Sequence, residues 1–119
     1  MNTRKELKFY ALLMAFAIIV GAFGAHYFES RLSIKALKTF KTGNLYHFFG
    51  VFSLFLFLVF EKQFNLNLKI PKYLALGSLT IFSGGCYLYA ITGIKFFAMI
   101  VPFGGLSFIA SWIITAKKA

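Results

Sequence analysis

Aspartate is missing from this chain altogether, and its 119 residues hold only three acids, Glu6, Glu29 and Glu61. A Ser-His-Asp catalytic set is therefore impossible. All three glutamates fall at the edges of apolar runs. The membrane-embedded carboxylate that small proton-coupled exporters use to exchange protons for cations is thus absent as well. Cysteine occurs once, at Cys86, so no intrachain disulfide can form. Charged residues make up 13% of the chain, where soluble domains carry roughly a quarter. The glycine pairs Gly84-Gly85 and Gly104-Gly105 follow no strand and carry no phosphate-loop pattern, and no HExxH occurs. Nothing here points to an enzyme or to a cofactor.

Apolar residues are abundant: 60% of the chain, with 17 phenylalanines, more than a soluble core of this size can hide. The formal net charge of +10 would suit nucleic acid, but the cations sit in short stretches between apolar runs, as membrane proteins place them. The reading is an all-α integral membrane protein, a single domain with spans at about 9–27, 43–60, 73–93 and 96–116. Each is about long enough for the roughly 30 Å hydrocarbon core. A cleavable signal peptide is the rival reading of the first run, with Gly24 and Ala25 as the small-residue site. Its length and the three later runs favour a retained helix.

Between the first two spans, residues 30–42 place Arg31, Lys35 and Lys38 on one helical face and Leu32, Ala36, Leu37 and Phe40 on the other. This predicts a short amphipathic helix lying in the interface, with Arg31, Lys35, Lys38 and Lys41 toward lipid headgroups and anionic lipid as the ligand such a face would take. A linker that merely lies flat is the plainer alternative. Small residues recur where helices are expected to pack: Ala17, Gly21 and Ala25; Thr80, Gly84 and Gly85; Gly104, Gly105, Ser107 and Ser111. On this reading Gly84→Leu disrupts the bundle. Pro102 falls inside the fourth run and predicts a kinked span, or an extended entry before a shorter helix. Trp112 suits the headgroup level.

With the N-terminus inside, the inner side holds eight cations (Arg4, Lys5, Lys8, Lys62, Lys69, Lys72, Lys117 and Lys118) and the outer side five (Arg31, Lys35, Lys38, Lys41 and Lys95). The bias favours both termini in the cytoplasm. His26, Asn44, Tyr46 and His47 gather at the outer ends of spans one and two. His26, Glu29 and His47 are the one set that could form a two-His-one-carboxylate metal site, and two histidines could ligate haem. Satisfying a backbone carbonyl or a tyrosine is the plainer role, and no metal is expected.

Three stretches carry a resemblance: GAFGAH at 21–26, TGNLYHFF at 42–49, and IFSGGCYLYAITG with VPFGGLSFIASW at 81–93 and 101–112. Together they resemble the small four-span membrane family catalogued as domain of unknown function four-two-three, which has bacterial inner-membrane members and a eukaryotic relative. The resemblance implies a four-span protein of the bacterial cytoplasmic membrane and supplies no enzyme assignment. The family usually has Tyr-Gln and then a histidine three residues on; here those positions are Tyr46, His47 and Gly50. His26 lies in the matching motif and is expected to tie the end of span one to Tyr46 or Asn44, so that His26→Ala costs more than His47→Ala. The function expected is a non-enzymatic scaffold or accessory subunit, partnered by the bilayer and by a membrane protein or a second copy. Transport through a broken helix near Pro102 and metal or haem binding through His26 are the alternatives.

Overall fold

Four long helices account for nearly all of the computed structural model, which describes residues 2–119: α1 (Thr3–Phe28), α2 (Ile34–Phe64), α3 (Lys69–Thr92) and α4 (Lys95–Lys118). All four are long and apolar enough to cross a membrane, and no strand occurs among the described residues. α2 has 31 residues, about 46 Å at the usual rise per residue. The longest dimension of the molecule is 48 Å, so the helices run along that axis.

Local chemistry sets the ends. The Asn2 side chain accepts from Lys5 N, and Ser33 Oγ accepts from Ala36 N, giving α1 and α2 N-caps that satisfy otherwise orphaned donors. α2 stops at Asn65, in the left-handed region with φ 54°. α3 stops at Gly93, φ 70°, where the absent Cβ removes the penalty of that conformation. Pro71 lies in the first turn of α3, where its missing N–H costs no helix bond.

α2 and α3 form the centre and bury a far larger share of their apolar length than the flanking α1 and α4. α1 lies along α2 and α4 along α3. The apolar core gathers Tyr10, Leu54, Phe57, Leu58, Leu68 and Ala75 near one end. Trp112 Nε1 donates to Ser53 Oγ at 3.1 Å, and its ring meets Phe57 at 4.8 Å. A residue expected at headgroup level thus also fastens α4 to α2.

The structure differs from the sequence reading in several places. Residues 34–42 form no separate interfacial helix; they are the first turns of α2. No proline interrupts 34–64, and Phe40, 2% exposed, packs against Phe28 and Tyr87, so nothing turns the chain at Thr42. The basic N-terminal stretch is likewise helical from Thr3. Pro102 lies inside α4, which runs unbroken from Lys95, so there is no extended entry.

The small residues divide. A Cβ on Gly104 would meet Phe82 N at 2.6 Å, and one on Gly85 would meet the Phe97 carbonyl at 3.1 Å. Both glycines are where α3 and α4 touch backbone to backbone. Ser107 adds a hydrogen bond from its Oγ to Leu74 O at 2.7 Å, and Ser111 is fully buried. Gly105 has room, with only the Phe82 ring at ordinary contact distance. Gly84 faces open space, and Thr80 is exposed and donates to Leu76 O of its own helix. The pair expected to pack there points away from the bundle instead.

Two turns are wider than α-helical: Val20–Gly24 in α1 and Leu79–Ser83 in α3 are π-helical.

Candidate functional site

Two polar clusters lie between the helices, one at the end carrying the N-terminus and one toward the other end. The first is built from residues far apart in sequence. Glu6 comes from the start of α1, Glu61 from the last turn of α2 and Lys72 from the start of α3. Lys72 Nζ donates to Glu6 Oε1 at 2.9 Å and Oε2 at 3.1 Å, and to Glu61 Oε1 at 2.6 Å. The side chains are 10%, 14% and 17% exposed for Lys72, Glu6 and Glu61 respectively, so solvent screens these pairs far less than surface ones. Glu61 has a second task. Its Oε2 accepts from Leu68 N at 2.7 Å, supplying the helix-start acceptor that Leu68 cannot provide itself, and its charge faces the positive end of the α3 dipole. Three helices meet on one ammonium group. Beside it opens a cleft of about 550 Å³, lined by Thr3, Tyr10, Asn65, Asn67 and Lys69 among others.

In the second cluster Asn44 of α2 is central. Its Nδ2 donates to the Ala17 carbonyl of α1 at 3.0 Å and to Tyr87 Oη of α3 at 3.2 Å. Tyr87 Oη also lies 3.0 Å from His47 Nδ1. Because the phenol oxygen already accepts from Asn44, its own proton is best directed to Nδ1, which places the imidazole proton on Nε2. Ala17 lies just before the widened turn at Val20–Gly24, and Gly21 within that turn gives Asn44 room: a Cβ there would meet Asn44 Oδ1 at 2.5 Å. Phe16 and Phe40 complete the surroundings, edge-on to His47 at 5.7 Å and tilted against Tyr87 at 5.1 Å. Within lipid such bonds between helices contribute about 0.6 kcal/mol on average and up to roughly 1.7. Tyr87→Phe, which takes away the side-chain partner of His47 and one of the two partners of Asn44, is expected to destabilise the bundle by about 1–2 kcal/mol. Thermal unfolding in mild detergent measures this, and an unchanged midpoint would remove the network from the list of stabilising contacts.

The residues expected from sequence at this end separate. His47 and Asn44 enter the network; His26 is exposed with no hydrogen bond among the described residues, and Tyr46 packs its ring, tilted, against Phe82 at 4.8 Å instead. His26 is therefore not tied to Asn44 or Tyr46, and the buried, bonded histidine is His47. Glu29 is exposed too. Among the described residues no three His, Cys, Asp or Glu side chains come together as a metal set, so His26, Glu29 and His47 do not assemble one. Arg31 folds back, its Nη1 on the Tyr27 carbonyl at 2.8 Å and its guanidinium 4.0 Å from the Tyr27 ring, whereas Lys35, Lys38 and Lys41 project from α2. Sequence reasoning missed Glu6, Glu61, Lys72 and Tyr87. The available signal was a scarcity: with three acids against 13 cations, a glutamate at a helix end and a lysine opening a span are candidates for pairing.

Comparison with known proteins agrees with this architecture. Residues 20–105 match the family model described as Protein of unknown function (DUF423). The chain is 33% identical over 105 residues to the UPF0382 membrane protein YwdK of Bacillus subtilis, covering 87% of this chain and 85% of that one. It is 31% identical over 103 residues to the UPF0382 membrane protein SSP2132 of Staphylococcus saprophyticus, with 87% and 86% covered. It is 30% identical over 115 residues to the UPF0382 inner membrane protein YgdD of Escherichia coli K12, with 94% and 86% covered. No solved structure gives a significant match.

Proposed function

The chain belongs to the DUF423 family of membrane proteins, and from that premise we propose that it is a non-enzymatic accessory component of the cytoplasmic membrane. Its work is to hold a fixed four-helix surface for a membrane partner. One observation carries the reading: the polar side chains between helices are spent on one another. Glu6, Lys72 and Glu61 join α1, α2 and α3 at one end; Asn44, His47 and Tyr87 join the same three near the other. Among the described residues, Ser83 Oγ is the one buried side-chain oxygen or nitrogen left without a partner. A transporter needs polar groups free to exchange ligands along its path. Thr80 and Thr92, which could have lined such a path near Pro102, are exposed and bonded to their own helix.

The flanking helices supply the partner surface. Leu12 and Phe23 on α1 and Met99 and Phe103 on α4 are each more than 65% exposed, large and apolar. Both termini are taken to lie in the cytoplasm, on the side with more cations. The test is purification from native membranes in mild detergent, with mass measured on successive columns. A second membrane protein retained in fixed ratio supports the reading. A lone chain that moves protons or cations after reconstitution into liposomes overturns it.

A further inference from the structure

The helices present several apolar outer faces, and one of them runs into a pair of free cations beside a groove. Ile34, Leu37, Lys38, Lys41, Thr42 and Leu45 line a surface groove of about 380 Å³ on the first turns of α2. Its floor is mainly apolar. Lys38 and Lys41 stand one turn apart, both exposed, and neither is in an ion pair among the described residues. Thr42 is not a free donor, since its hydroxyl is already bonded to the Lys38 carbonyl at 3.0 Å.

Below the groove an exposed apolar face continues down the helix. Leu45, Phe49, Phe52 and Leu56 follow at spacings of four, three and four, which keeps them on one face, and they are 51%, 48%, 53% and 42% exposed. From Lys41 to Phe52 is eleven steps along the helix, about 16 Å. One leaflet is half of the roughly 30 Å hydrocarbon core. The strip is thus one acyl chain long and has positive charge at its top.

We propose that this face of α2 holds one anionic phospholipid, with its phosphate between Lys38 and Lys41 and one acyl chain lying over Leu45, Phe49 and Phe52. The lysine stems lie along the groove and lift their ammonium groups to headgroup level. This site explains why α2 extends beyond the length needed to cross: its extra turns carry the cations to the phosphate plane. The inference stands apart from the accessory-subunit reading, because a lipid site of this kind serves equally well on a transporter.

The probe is phosphatidylglycerol offered in equal amount with phosphatidylcholine to delipidated protein in detergent, with bound lipid counted by native mass spectrometry. One phosphatidylglycerol per chain is expected, preferred roughly thirtyfold, the combined effect of two cations near an anionic headgroup. The Lys38→Gln/Lys41→Gln double variant should lose that preference, while Lys117→Gln/Lys118→Gln should keep it. Equal retention of both lipids, an unchanged preference in the Lys38/Lys41 variant, or displacement of the lipid by millimolar inorganic phosphate would each overturn the proposal.

Discussion

Lys72→Ala is expected to destabilise the folded chain by about 3 kcal/mol, the low end of the range for breaking a buried ion pair from one side. The cost comes from what remains rather than from what is removed. Glu6 and Glu61 approach the same ammonium group from opposite helices, and without it two carboxylates share a mostly buried site with no counter-charge. The adjoining cleft admits water, which is why the low end applies. Removing all three charges together, as Glu6→Gln, Glu61→Gln and Lys72→Met, is expected to recover most of the loss, since apolar or neutral replacements of a whole buried cluster are often tolerated. Unfolding midpoints in mild detergent for the single and triple variants decide the matter. If the single variant loses under 0.5 kcal/mol, hydration from the cleft already satisfies the carboxylates and the cluster does not hold α1 in place.

Gly104→Ala and Gly84→Ala are expected to change stability in opposite directions, although both replace a helical glycine in the same half of the chain. At Gly104 the new methyl meets Phe82 N at 2.6 Å and Phe82 Cα at 3.0 Å. Backbone cannot rotate aside as a side chain can, so α3 and α4 must separate, at about 2–3 kcal/mol. At Gly84 nothing lies within 4 Å of the added carbon, and the better helix propensity of alanine should stabilise by about 0.5–1 kcal/mol. The same unfolding assay tests both. Equal losses at the two sites would overturn the placement of Gly84 on an open face.

The two glycines also show how far the sequence could be read. Hydrophobic run length and cation placement sufficed for four spans, because lipid forces long, internally hydrogen-bonded helices whatever their neighbours. Which face of each helix turns inward is a different kind of information. A small residue says that close approach is allowed, not that it happens: Gly85 and Gly104 touch the next backbone while Gly84 and Thr80 face out. The π-helical turn at Leu79–Ser83 falls just before Gly84 and Gly85 and shifts the face predicted from regular helical spacing. The histidines illustrate the same limit. His26 lies in the motif that carried the family resemblance, yet the buried position belongs to His47, which meets the Tyr87 hydroxyl of α3 that Asn44 also holds. The Lys72 cluster was out of reach for another reason. Glu6 and Lys72 are 66 residues apart, and no local pattern links such partners.

The two widened turns bear on how the length of this chain can vary. Each holds one residue more than regular α-helix would need over the same rise, as a single inserted residue does. Deleting one residue from Val20–Gly24 or Leu79–Ser83 would restore regular geometry and leave the following helical face where it is, because the widened turn had taken up the extra residue without rotating the helix beyond it. Residues downstream of each turn, Gly85 and Tyr87 among them, would then keep the partners they have now. A gap of one position at either place in a relative therefore signals a regularised turn rather than a re-aimed helix or a trimmed loop. Compensating changes would be looked for beside the gap, among the residues that touch the turn, and not across the bundle.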